Sequence, residues 1–217
     1  MSAPENYTFN AANLGNYPPG VSAWAALQIP LRQQTFTNLA AADDDAIKTV
    51  IATTTSTATY TGAALNGAIG AGAVSPPRNI TVTTAGGTPA DAPATATITG
   101  TAIDGSAQTE VINVGQTATT VAGAKAFATA TSIALTAGQG TDATLTFGTG
   151  NIIGLDSKLR DVGGASNGGV IKEVANTTVV TNGVFVLPAT SGPFGTYAPN
   201  AIPNGTNDYT IVYMVDA

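Results

Sequence analysis

The chain contains one pattern that catalysis could use. Gly164-Ala165-Ser166-Asn167-Gly168 has the Gly-x-Ser-x-Gly spacing that exposes a serine nucleophile when it follows a strand and precedes a helix. A serine needs a base to take its hydroxyl proton, and this chain has no histidine. Set in the run Gly163 to Gly169, the motif reads as a flexible joint. Asp43-Asp44-Asp45 offers carboxylate oxygens of the kind hard cations take, but it lacks the Asp-x-Asp-x-Asp-Gly spacing and the distal Glu of an EF-hand. It reads as solvated acid near the start of an element. Glu5, Glu110 and Glu173 could contribute to a pair of carboxyls about 5–10 Å apart, the separation used in glycoside cleavage. Sugar-cleaving sites also use aromatic platforms, whereas aromatics here are 6% and sit mostly near the termini. The chain has no cysteine, so disulfides and thiolate metal sites are excluded. No catalytic residue, cofactor site or metal site is assigned, and the expectation is a protein that is not an enzyme.

The elements around these residues come from an unusual composition. Only 9% of the 217 residues are charged, against about 25% in ordinary soluble domains. Thr, Ala, Gly and Ser fill the gap, and Val and Ile recur throughout, so the chain should fold as β structure. Its net charge is −6, and its seven basic residues are scattered apart from a loose cluster at 158–172. No basic stripe is present to displace counterions from nucleic acid or to dock on an anionic membrane. The segment Met1-Ser2-Ala3-Pro4-Glu5-Asn6 has no basic-then-apolar leader pattern, and no apolar run is long enough to span a bilayer. Synthesis in the cytosol is expected, with exit only as part of a larger object.

Alternation of apolar and polar residues predicts the strands. Residues 1–45 read as an extended N-terminal arm, broken by Asn16-Tyr17-Pro18-Pro19-Gly20. Within residues 46–160, a strand is expected from about Ile47 in preference to a helix starting at the acidic triplet. Further strands are expected at 79–83, 94–99, 109–114, 125–129, 131–135 and 143–147, the last with Ala143, Leu145 and Phe147 facing the core. Asp104-Gly105 predicts a type I′ turn joining 94–99 to 109–114. Turn signals every 8–12 residues or so point to an antiparallel sandwich or barrel. Residues 161–217 are expected to add a hairpin, 177–181 and 184–187 around Asn182-Gly183, and a strand at 208–215. That last strand is apolar on both faces, so it is central in a sheet or covered by a partner.

Several segments carry a resemblance. They are Pro77-Arg78-Asn79-Ile80-Thr81-Val82, Ile98-Thr99-Gly100-Thr101-Ala102-Ile103-Asp104-Gly105, Thr109-Glu110, Val121-Ala122-Gly123-Ala124-Lys125-Ala126-Phe127 and Phe147-Gly148-Thr149-Gly150. The C-terminal Gly195 to Asn200 and Asn204 to Tyr209 belong with them. Together they resemble tailed-phage virion structural proteins with an immunoglobulin-like module, of the head-decoration or cement type. The match covers about half the chain. It implies an antiparallel immunoglobulin-like β-sandwich in the virion, bound to the outside of the head lattice and stabilising it.

The partners implied are the major capsid protein and copies of the chain itself, as a homo-oligomer for which a trimer suits the many threefold positions of a shell. Neither nucleic acid nor membrane is an expected partner. The candidate contact residues are Tyr7, Phe9, Trp24, Leu27, Ile29 and Phe36 of the arm, with Tyr209 and Tyr213 of the last strand. Large apolar groups on irregular segments usually pack on something, either their own domain or a neighbour. Two other readings stay open: a tail-tube, tail-tip or fibre component, and a non-viral surface or carbohydrate-binding module.

Overall fold

The computed structural model describes residues 31–160, 170–175, 178–180 and 183–216. The fold is all-β and antiparallel. Its strands are β1 (Leu31–Phe36), β2 (Asp43–Ala52), β3 (Ala58–Thr61), β4 (Ala73–Gly86), β5 (Thr95–Thr101), β6 (Ala107–Asn113), β7 (Thr119–Leu135), β8 (Ala143–Gly154), β9 (Val170–Ala175), β10 (Thr178–Val180), β11 (Val184–Val186), β12 (Thr196–Ala198) and β13 (Tyr209–Met214). The larger sheet runs β11-β12-β8-β4-β7-β5-β6, with β2 added to β8 and β3 to β7; the smaller runs β1-β13-β9-β10.

One long strand curls the larger sheet into a half-barrel. Residues Thr119 to Thr129 of β7 pair with β4, while Thr129 to Leu135 pair with β5 and, from Ser132, with β3. A single strand therefore serves two layers. The main core lies between them, with Ile47, Ile80, Val82, Ile98, Phe127, Ile133, Leu145 and Phe147 all fully enclosed. Burial follows the alternation predicted from sequence: Thr-Ala-Thr-Ile-Thr-Gly-Thr in β5 puts Ala96, Ile98 and Gly100 inward and its threonines outward. Ala143, Leu145 and Phe147 face the core as expected. Each fully buried Leu, Ile or Phe contributes about 1.5–3 kcal/mol through apolar surface removed from water.

Several expectations are corrected. Within residues 31–45, assigned to the arm, two stretches are built into sheets: β1 pairs along its whole length with β13, and the acidic triplet opens β2. The runs at 125–129 and 131–135 are one strand. The strands expected to pair across Asn182-Gly183 lie in different sheets, β10 against β9 and β11 against β12. β5 and β6 do form the predicted hairpin, but only Gly105 has a positive φ (+82°) at its tip. The Gly105 amide donates to the Ala102 carbonyl, and the Ala102 amide donates to the Ser106 carbonyl. That is a three-residue loop with a glycine bulge rather than a type I′ turn, which needs two successive positive φ angles.

Candidate functional site

Three of the expected contact residues fall among the described residues, and the structure brings those three together. Tyr7, Phe9, Trp24, Leu27 and Ile29 lie outside the described residues, as does Ser166. Phe36, Tyr209 and Tyr213 are buried in a second core with Leu39, Ile153, Leu155, Leu159, Phe185, Tyr197 and Ile211, where the smaller sheet packs on the end of the larger one. The cause is local: β13 alternates, so Tyr209, Ile211 and Tyr213 point the same way, and β13 sits between β1 and β9. Phe185 fills the space between tyrosines, its ring centroid 4.2 Å from that of Tyr197 and 5.8 Å from that of Tyr213. These three residues are covered by their own chain, which corrects their assignment as surface contacts.

The same joint carries a dense polar cluster. Asp156, just after β8, takes Arg32 Nη2 at 2.5 Å and Arg32 Nε at 3.1 Å, the Tyr213 hydroxyl at 2.8 Å and the Ser157 hydroxyl at 3.2 Å. The Asp156 amide donates to Gln34 Oε1 at 3.2 Å, and Gln34 Nε2 donates to the Gly154 carbonyl at 3.5 Å. Nearby, Lys158 pairs with Asp216 at 2.7 Å, and the Arg160 amide donates to the Met214 carbonyl. Burial pushes the Asp156 carboxyl up, but the Arg32 and Tyr213 hydrogen bonds and the Arg32 charge outweigh it and hold the carboxyl below its ordinary value. Burial first, then the Asp156 charge, pushes the Tyr213 hydroxyl well above the usual phenol range. The carboxylate stays ionised with both oxygens engaged, so it clamps β1 and β13 to the end of β8. Nothing local in the sequence points to this pair, because 124 positions separate Arg32 from Asp156.

A second set of polar side chains replaces missing ladder bonds. The pairing of β4 slips in register around Arg78, Asn79 and Ile80 against both neighbours. There Asn79 Nδ2 donates to the Gly123 carbonyl at 2.9 Å, and Asn79 Oδ1 accepts from the Ile152 amide at 3.0 Å. Arg78, only 3% exposed, donates through Nη1 to the Ala40 carbonyl at 2.6 Å and through Nη2 to Asn151 Oδ1 at 3.3 Å. Along β6, Gln108 Nε2 donates to the Ala126 carbonyl, and Glu110 accepts from the Ala124 and Lys125 amides at 2.6 and 3.3 Å. Gly123 makes room for that carboxylate, since a Cβ there would meet Glu110 Oε2 at 2.5 Å. The unpaired edge of β6 is thus joined to the first half of β7 by side chains.

The outer faces of the two layers carry small, uncharged groups. Across β6, β5, β7 and β3, register places Val111, Thr97, Ala134 and Thr59 in one row and Thr109, Thr99, Ser132 and Thr61 in the next. All of these are exposed or half-buried, and Val111 is 61% exposed. Neighbouring hydroxyls are engaged within the sheet: Thr101 bonds Thr129 at 2.8 Å and Thr131 donates to the Thr99 carbonyl at 3.2 Å. On the other layer Thr146, Thr83 and Thr120 form a similar row, with Thr83 and Thr120 bonded at 2.8 Å.

Among the described residues no group of three or more His, Cys, Asp or Glu is placed to hold a metal ion, and no helix is long and apolar enough to cross a membrane. Asp43 and Asp45 lie two apart at the start of β2 and interact: the Asp45 amide donates to Asp43 Oδ1 at 3.2 Å, and the Asp43 carboxyl, through a side-chain hydrogen bond, pushes that of Asp45 above its ordinary value. A shallow depression lined by Ile51, Thr53, Tyr60, Pro93 and Leu135 lies between β2 and β3 and contains no acid or base. No protein-family model, curated protein or solved structure matches the chain.

Proposed function

We propose that this chain is a structural, non-catalytic protein of a tailed-phage virion. In this reading it is a decoration or cement protein that binds the outside of the head lattice as an immunoglobulin-like sandwich and stabilises it. The observation that carries the proposal is the pair of outer sheet faces, built from threonine and alanine on a scaffold whose strand slips and edges are filled by side chains. Such faces offer contact area without reactive groups, and the scarcity of charge lowers the desolvation cost of covering them.

Most of the segments resembling virion proteins fall on β4, β5, β7 and β8 and on the β5–β6 hairpin, and the two C-terminal ones fall on β12 and the approach to β13. The major capsid protein and further copies of the chain are the partners this reading requires, and the virion is its location. Purified protein mixed with expanded heads lacking it should bind saturably, co-sediment with them and raise the temperature at which they release DNA. Failure to bind heads, or binding to tails alone, overturns the proposal.

A further inference from the structure

We infer that Asn66-Gly67 and Asn204-Gly205 are self-modification sites that the fold holds silent, each by tying down the glycine amide that would attack. This holds independently of the coat-protein reading. An asparagine before glycine can cyclise. The glycine nitrogen bonds to the asparagine Cγ, the Cγ–Nδ2 bond breaks, and ammonia leaves with the proton from the glycine nitrogen. Water then opens the imide to aspartate or isoaspartate. Glycine favours the step because its backbone is the most mobile and no side chain hinders its nitrogen.

Neither glycine is easily replaced. Gly205 has a φ of +82°, and a Cβ on Gly67 would collide with the backbone of Asp45 and Ala46. Asn66, Asn204 and Gly205 are exposed, so water reaches both pairs and burial does not protect them. What is restrained is the nucleophile. The Gly67 amide donates to the Ile47 carbonyl at 3.1 Å, and the Gly205 amide donates to the Leu39 carbonyl at 2.8 Å. The electrophile is held as well. Asn66 Oδ1 accepts from Lys48 Nζ at 2.8 Å and from the Thr49 hydroxyl at 2.9 Å. Asn204 Oδ1 accepts from the Thr206 and Asn207 amides, each at 3.0 Å. The amides of Gly105 and Gly183, which follow Asp104 and Asn182, are engaged in the same way, by the Ala102 carbonyl and the Tyr197 hydroxyl. Cyclisation at Asn204 must break the bond to Leu39, a buried member of the second core whose own amide donates to the Asn207 carbonyl. Isoaspartate there lengthens the backbone by one carbon beside Gly205, so opening of this junction is recorded irreversibly.

The test ages the purified full chain in mildly alkaline buffer, with and without enough urea to unfold it. Aspartate and isoaspartate at each pair are read by peptide mapping and mass spectrometry. A hydrogen bond that must open slows the step by roughly 2–10-fold, and each pair has three of them, so both should react at least about tenfold more slowly in the folded chain. Lys48→Met with Thr49→Val should speed Asn66 at least about threefold and leave Asn204 unchanged. Leu39→Ala, which loosens the acceptor of the Gly205 amide, should speed Asn204 and leave Asn66 unchanged. Matching circular dichroism spectra establish that the variants fold, and the comparison of folded with unfolded wild type stands without them. Folded rates within about twofold of the unfolded ones overturn the inference, because even one bond should slow the step by more. So do folded variants that speed both pairs equally or neither.

Discussion

Replacing Asp156 with alanine tests whether the two sheets are held together by one carboxylate. The substitution removes the acceptor for Arg32, for Ser157 and for the hydroxyl of Tyr213, a residue with no solvent exposure. The Arg32 and Asp156 side chains are 36% and 28% exposed, so water screens their attraction and the pair contributes about 0.5–1 kcal/mol. The buried hydroxyl dominates. Losing a charged acceptor and retaining only Gln34 Oε1 at 3.4 Å costs about 1–3 kcal/mol. Together, Asp156→Ala should lose about 1.5–4 kcal/mol, and Asp156→Asn about half of that because an acceptor remains.

The pH dependence supplies a second arm. A carboxyl held below its ordinary value stabilises the fold above the unfolded value of about 3.9, and that contribution fades as pH falls through it toward the lower folded value. The gap between wild type and Asp156→Asn should therefore be widest near neutrality and shrink below about pH 4. Urea denaturation followed by circular dichroism measures both. A loss under about 0.5 kcal/mol for the alanine variant, or a gap unchanged between about pH 3 and pH 7, would refute the clamp.

Other perturbations probe separate parts of the fold. Gly105→Val should cost about 1–3 kcal/mol in urea denaturation; the site is open space, so the whole cost is the positive φ angle, and Gly105→Asn should cost clearly less. Phe147→Ala, which empties a fully enclosed site in the main core, should lose about 3–5 kcal/mol of stability, read as a fall in the urea midpoint. Burial raises the Glu110 carboxyl despite its bonds to the Ala124 and Lys125 amides. Its ionised form therefore works against folding, and that penalty is relieved as pH falls from neutrality toward the unfolded value of about 4.3. Glu110→Gln should flatten this rise between about pH 7 and pH 4.5, visible as a smaller shift in urea midpoint than in wild type.

Legibility in the sequence tracked the contrast between side chains on the two strand faces. β5 and the first half of β8 alternate Thr with Ala, Ile, Leu or Phe, and their inward residues could be named in advance. The first half of β7, Thr119 to Ala124, offers only small groups on both faces, so it left no periodic signal and the strand was read as starting late. β1 was hidden for the opposite reason: Arg32 and Gln34 look like arm residues until Asp156 and Gly154 supply their partners. The apolar pattern of β13 predicts a strand central in a sheet or covered by a partner, and it lies between β1 and β9 with its tyrosines buried by their own chain rather than offered to a neighbour. What covers them, Phe185 and Tyr197 from two short strands, depends on long-range packing that no local pattern encodes. The buried roles of Arg78 and Asn79 were missed because polar residues in an alternating run are ordinarily assigned to the water side.

The junction between β6 and β7 has a dynamic consequence. Amides inside a ladder are released when two strands part, whereas the Ala124 and Lys125 amides are held by a single glutamate whose side chain can rotate away. Hydrogen exchange there should run ahead of exchange along β4 and β7, so the half-barrel would breathe along this line while its sheets stay intact. The same glutamate sits inward on a strand edge that would otherwise be free to recruit a stray chain, so mobility is gained without leaving an adhesive border.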